Sequence, residues 1–272
     1  MKKIFLLLIV LLQLAGCATT TNKGVAGVER KQFMMLSESQ VESMSLQSYT
    51  QTLKEADSKK VLNTDPAALA RVRAISNRLI EQTPVFRSDA KNWKWEVNVE
   101  KNDQVNAYCM PGGKIMVFTG LISKLNATDD ELAVVIGHEI SHALREHGRE
   151  RMSLAAAQQT GLALLGILAS TSKNSTAAGA GVQAAAMGTQ LFFALPNSRT
   201  QETEADQMGL ELAARAGYNP NEAVTLWTKM SKLSGNKPPA WLSDHPSDAA
   251  RIADVQALVP RMMPLYEAAR KQ

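Results

Sequence analysis

Within this chain of 272 residues, His138-Glu139-Ile140-Ser141-His142 restricts the fold more than any other stretch. On a helix, at about 100° per residue, the two imidazoles fall on one face within a turn of each other, and Glu139 projects beside them. Such a pair can hold one zinc ion while the carboxylate between them activates a water. The surroundings demand burial, because Leu132-Ala133-Val134-Val135-Ile136-Gly137 and Ile140-Ser141 carry no charge. Thr128-x-x-Glu131 reads as a capping box that starts the helix ten residues before the first histidine. The chain therefore has to close a core around a metal-bearing helix.

A catalytic zinc usually takes three protein ligands and leaves one position open. The best source of the third is Ser198-Arg199-Thr200-Gln201-Glu202-Thr203-Glu204-Ala205-Asp206. On the helix that begins there, Glu202, Ala205, Asp206, Gly209 and Ala213 share a face, two acids among small residues that permit close approach to the zinc helix. Glu202 is placed to reach the metal. Asp206, one turn on, is placed to accept the outward N–H of a ligand histidine. Glu204 points to the other side, toward solvent. His147 follows His142 by five residues, roughly 140° away around a continuous helix, which excludes it from the metal and assigns it a capping or surface role.

The N-terminus carries Lys2 and Lys3, the apolar run Ile4 to Leu12, then Leu14-Ala15-Gly16-Cys17. This pattern predicts an export signal over residues 1–16, too short for a stable membrane span. Leu-Ala-Gly-Cys resembles the bacterial lipobox, which implies cleavage before Cys17 and a lipid on its sulfur. Ala18 after the cysteine resembles the outer-membrane sorting pattern, so the expected place is the outer membrane, facing the periplasm. Cys109 is the only other cysteine and is expected as a small buried hydrophobe, so no intramolecular disulfide is expected. Residues 17–33, polar and glycine-containing, predict a tether, and residues 34–272 predict the zinc metallopeptidase domain. Loss of Lys2 and Lys3 lowers the formal charge from +4 to +2, and no basic cluster interleaved with aromatics points to nucleic acid.

Helical spacing recurs over 37–57 and 66–82, the latter with Asp65-Pro66 as cap and first turn. Residues 93–99 alternate as a strand. Val105 to Met110 and Lys114 to Thr119 flank Pro111-Gly112-Gly113 and predict a β-hairpin. The fold class is then α+β, mostly α, with a small antiparallel sheet beside the metal helix. Residues 153–194 are rich in alanine, glycine, leucine and methionine and read as a helical hairpin, either buried or a mobile or membrane-apposed lid; neither arm is apolar enough to be read as a span.

Asn106-Ala107-Tyr108 with Pro111-Gly112-Gly113, the His138–His142 motif, Leu195-Pro196-x-Ser198-Arg199 and Glu202-x-Glu204-Ala205-Asp206 together resemble the HtpX-type gluzincin metallopeptidases. The resemblance covers about residues 35–258 and is greatest to the periplasmic lipoprotein branch, although no tetratricopeptide array follows the site. It implies a gluzincin-type domain with one Zn2+ per chain, His138, His142 and Glu202 as ligands, Glu139 as catalytic acid/base and Asp206 as the supporting carboxylate. It also implies an endopeptidase of envelope protein quality control, acting on unfolded or misassembled envelope proteins, with outer-membrane proteins as further candidate partners. The strand at Asn106 and Ala107 would align an extended substrate by strand addition. In that branch a histidine in a His-Pro context can approach the zinc as a regulatory fourth ligand. Here that residue is His245, with an oxyanion donor or a plain turn residue as alternatives. The competing class is a non-proteolytic assembly factor or chaperone with a structural zinc, for which only His245 could close the site.

Overall fold

The computed structural model describes residues 17–169, 197–233, Trp241, His245 and 249–271. The expected export signal over 1–16 lies outside these residues, as do residues 170–194 of the expected helical hairpin, whose first arm is helical through Ala169. Short strands β1 (Cys17–Ala18) and β2 (Gln32–Phe33) precede α1 (Glu38–Ser58) and α2 (Pro66–Ile80). Strands β3 (Glu96–Glu100), β4 (Ala107–Met110) and β5 (Lys114–Phe118) follow, then α3 (Thr119–Leu125) and the metal helix α4 (Asp129–Leu144). Helices α5 (His147–Ala169), α6 (Arg199–Arg215), α7 (Glu222–Leu233) and α8 (Ala249–Ala269) complete the described chain.

The helix starts are set by local chemistry. Ser37 with Gln40, Thr128 with Glu131 and Ser198 with Gln201 form reciprocal capping boxes at α1, α4 and α6. The Asp65 carboxylate accepts from the Ala67 and Ala68 N–H groups at the start of α2. Each satisfies backbone donors that the first turn leaves without a partner.

The predicted hairpin forms between β4 and β5, with Ala107 opposite Val117 and Met110 opposite Lys114. Its turn uses Gly112 at φ 78° and Gly113 at φ 80°, and a Cβ on Gly113 would strike the Trp95 ring at 2.6 Å. The sheet as a whole is mixed rather than antiparallel: β3 pairs parallel to β5, in the order β3-β5-β4. Every residue of β5 is buried, in keeping with its central place in the sheet, where β4 takes the backbone groups of one edge and β3 those of the other. The edge strand β4 packs against α4, which in turn packs along α6, and α8 also packs against α6. All of α4 from Glu131 to Leu144 is buried. Removing side chains such as Leu132, Ile136 and Ile140 from water contributes about 1.5–3 kcal/mol each. Beneath α1, Tyr49 packs with Met110, Met116 and Phe118 and donates its hydroxyl to the Ile115 carbonyl at 3.1 Å.

The segment expected as a lipid-anchored tether, residues 17–33, lies against the domain. Cys17 and Ala18 pair with Phe33 and Gln32, Ala26 and Val28 enter the main core, and the Ala26 N–H donates to buried Glu211 at 2.6 Å. Glycine lets this strap lie close, for at Gly24 a Cβ would meet the Phe86 ring at 2.5 Å and Glu211 Oε2 at 2.6 Å. Among the described residues no helix is long and apolar enough to cross a membrane.

Candidate metal centre

Two glycines bring the site together. A Cβ on Gly209 of α6 would lie 2.6 Å from the His138 nitrogen, and one on Gly137 would lie 2.8 Å from the Gly209 carbonyl oxygen. The helices therefore touch backbone to backbone. That contact sets the Glu202 carboxylate 3.4 Å from His138 Nε2 and 3.3 Å from His142 Nε2, which are themselves 3.0 Å apart. His245 joins them, with Nδ1 at 3.2 Å from His138 Nε2 and 3.0 Å from Glu202 Oε1. One donor atom from each of the four residues lies within 4.8 Å of the others, and all four residues are buried.

This donor set fits zinc. With bonds of about 2.0–2.1 Å, ligand atoms on a tetrahedral zinc stand about 3.3 Å apart, close to the spacings seen here. Glu202 Oε2 is buried and makes no hydrogen bond, with Arg251 Nη1 at 3.0 Å balancing its charge, so its lone pairs are left available to a metal ion.

Both histidines of α4 are oriented from behind. His138 Nδ1 lies 2.9 Å from Asp206 Oδ1, and Arg251 holds that carboxylate through Nε at 2.6 Å and Nη2 at 2.8 Å. Burial alone would lower the pKa of His138, but hydrogen bonds to Asp206 and Glu202 outweigh it and raise it to about 9 in the metal-free protein. His142 is the opposite case, held well below its ordinary value by burial above all. Burial opposes ionisation of Glu202, yet the field of His245 and the hydrogen bond from His138 keep it well below the usual carboxylate range.

His147 and Glu204 depart from the sequence expectation. Neither is at the surface: His147 is fully buried and Glu204 nearly so. His147 Nδ1 lies 2.8 Å from His142 Nδ1, and its Nε2 lies 2.9 Å from Glu204 Oε2. Among the described residues His147 stays outside the donor set, but its expected capping or surface role fails because α4 ends at Leu144 and Glu146 takes φ 53°, which turns the chain so that the His147 ring faces back toward His142. Glu204 has no solvent to point to, since Arg145 and, from the strap, Arg30 close over it. Burial would raise its pKa, but His147, Arg30 and Arg145 bring it down to about 2.

Glu139 is buried; its Oε1 accepts from the Trp241 indole at 2.9 Å and lies 3.6 Å from His245 Nε2. Trp241 stacks flat on His245 with ring centroids 4.5 Å apart, and its backbone N–H donates to the Val105 carbonyl at 3.2 Å. Asn106 and Ala107 sit at the start of the edge strand β4, Asn106 Oδ1 accepting the Ala107 N–H. Cys109 is a free, buried thiol. Trp241, Arg251, His147 and Glu204 were not legible as site residues, because no local motif marks a partner that only packing supplies.

A profile of peptidase family M48 matches residues 66–259. The chain belongs to peptidase family M48. It is 40% identical over 161 residues to mitochondrial metalloendopeptidase OMA1 of Arabidopsis thaliana, covering 58% of this chain and 30% of that one. It is 31% identical over 245 residues to the mitochondrial metalloendopeptidase OMA1 of Bos taurus, covering 88% and 44%. To metalloprotease LoiP of Escherichia coli it is 29% identical over 253 residues, covering 89% and 90%. The chain thus spans less than half the length of these two M48 relatives from mitochondria, but nearly all of LoiP.

Proposed function

We propose that the chain is a zinc endopeptidase of the bacterial envelope that cleaves unfolded or misassembled proteins. One observation carries the reading: Glu139 is buried beside a donor set that fits zinc and is not itself part of that set. A structural metal site has no use for such a carboxylate. Held by His138, His142 and Glu202, zinc would polarise the peptide carbonyl and lower the pKa of a water toward neutrality. Glu139 would take the proton of the attacking water and pass it to the leaving amine. Asp206 and Arg251 hold His138 in the tautomer whose Nε2 faces inward. The edge strand β4 offers main-chain groups to an extended peptide, which favours unfolded chains as substrates.

The finer assignment, to the HtpX-type lipoprotein branch at the outer membrane, is supported by Lys2-Lys3, the run Ile4 to Leu12 and Leu14-Ala15-Gly16-Cys17, and by the match along the length of LoiP. Mitochondrial location is a property of the OMA1 relatives. The second reading, a structural zinc in an assembly factor or chaperone, is favoured by His245 alone, whose nitrogen makes a fourth donor. Glu139→Gln separates the two. It should keep its zinc and lose roughly three or more orders of magnitude in turnover of a casein-type unfolded substrate, since it removes the base and no ligand. Undiminished cleavage would end the peptidase reading. For location, Cys17→Ser should release the protein from the membrane fraction, and retention there would contradict lipid anchorage.

A further inference from the structure

We infer that His147 and Glu204 form a positioning relay that fixes the tautomer and tilt of His142 as a zinc donor. The inference rests on the zinc site proposed above and concerns residues that do not touch the metal. For His142 to present a lone pair at Nε2, beside His138 and Glu202, its proton must sit on Nδ1. That N–H then needs an acceptor, and His147 Nδ1 stands 2.8 Å from it. His147 can accept there only if its own proton is on Nε2, and Nε2 lies 2.9 Å from Glu204 Oε2. A carboxylate at that place can only accept, so Glu204 dictates the tautomer of His147, and His147 dictates that of His142.

The far end of the relay is anchored. Arg145 Nη2 lies 3.2 Å from Glu204 Oε2 and Arg30 Nε lies 2.7 Å from Glu204 Oε1, so both oxygens are held and the carboxylate stays ionised. Arg145 is fully buried, and its Nη2 also donates to the Arg30 carbonyl at 2.9 Å, which ties the N-terminal strap to the same cluster. His138 has the shorter version of this device, a carboxylate in direct contact with its outward nitrogen. The zinc helix thus has two ligand histidines with two independent supports, one carboxylate acting directly and the other through an intervening imidazole. A buried ion cluster that merely filled space would not place both His147 nitrogens within 3 Å of complementary partners in line with His142.

The test uses the full chain with His147→Asn and His147→Gln. An Asn amide reaches the position of Nδ1 and can still accept from His142, whereas a Gln amide reaches the position of Nε2, meets Glu204 and leaves the His142 N–H without its acceptor. Zinc dissociation constants are measured by chelator competition, cobalt-substituted absorption spectra report ligand geometry, and melting of the metal-free proteins reports stability. His147→Gln should weaken zinc binding by about 10–100-fold and alter the cobalt spectrum, while His147→Asn recovers most of the affinity. Equal zinc affinity in the two variants, or a Gln variant with the wild-type affinity and spectrum, overturns the relay, whatever the melting temperatures do. If the wild-type chain itself takes up no zinc, the metal-centre reading fails first, and the two failures are distinct.

Discussion

Gly209→Ala tests whether the approach of α4 and α6, rather than the ligand residues alone, makes the site. By helix propensity this substitution in the interior of α6 should stabilise the protein by about 1 kcal/mol. The geometry says otherwise. The added methyl would lie 2.6 Å from the His138 nitrogen and 2.8 Å from its Cα, and to reach an ordinary contact of 3.4 Å the helices must separate by about 0.8 Å. Both obstacles are backbone and cannot swing away. Overpacking of this kind costs about 1–3 kcal/mol, so after the propensity gain a net loss of up to about 2 kcal/mol remains, a fall of about 4–8 °C in melting temperature for a domain of this size. The larger effect falls on the metal. Glu202 lies two turns before Gly209 on the same face, and opening its 3.3 Å approach to His142 by 0.8 Å exceeds the roughly 0.5 Å within which a site must be held. Zinc affinity by chelator competition should drop by at least about tenfold. A variant that melts higher than wild type and binds zinc equally would refute the reasoning, because the two backbones would then have room that the geometry denies them.

Zinc binding should also depend on pH. His138 is raised from its ordinary 6.5 to about 9, so the metal-free protein holds a proton there that zinc must displace; affinity should climb as pH rises toward about 9 and then level, and a flat profile from pH 7 to 9 would contradict this. The same shift stabilises the metal-free fold in full below about 6.5, and that contribution is lost as pH rises through about 9, which urea titrations of the chelated protein would follow. His245→Ala should raise proteolysis of an unfolded substrate with zinc retained, because it vacates the fourth donor position; collapse of activity with zinc intact would instead assign it oxyanion donation, and no change would make it a turn residue. Thr128→Ala should cost about 1 kcal/mol through the lost cap of α4 while leaving zinc affinity unaltered, since the cap lies at the opposite end of the helix from the histidines; a parallel loss of zinc would show that the cap sets ligand geometry.

Much of the site was legible because its determinants are local. His138 and His142 share a face through helical spacing, Thr128 and Glu131 mark the start of their helix, and Glu202, Asp206 and Gly209 declare a second face of acids and small residues. Side-chain chemistry within one or two turns suffices for each of these. The parallel pairing of β3 with β5 was not legible, since alternation identifies a strand but carries nothing about the direction of its neighbour. Nor was the folding of the strap onto the core, for a polar, glycine-containing segment becomes buried only where other elements have already built its binding surface. His147 and Glu204 show the limit most clearly. Their sequence positions point away from the metal only if each helix is continuous and its outer face meets water. The break at Glu146 and the closure of Arg30 and Arg145 over Glu204 remove both conditions, and each arises from contacts between residues that are more than fifty positions apart or from a single left-handed turn. What the sequence by itself determined was which residues could serve a metal; which other residues hold them in place was decided by tertiary packing, because a buried polar group takes whatever partner the fold brings within 3 Å.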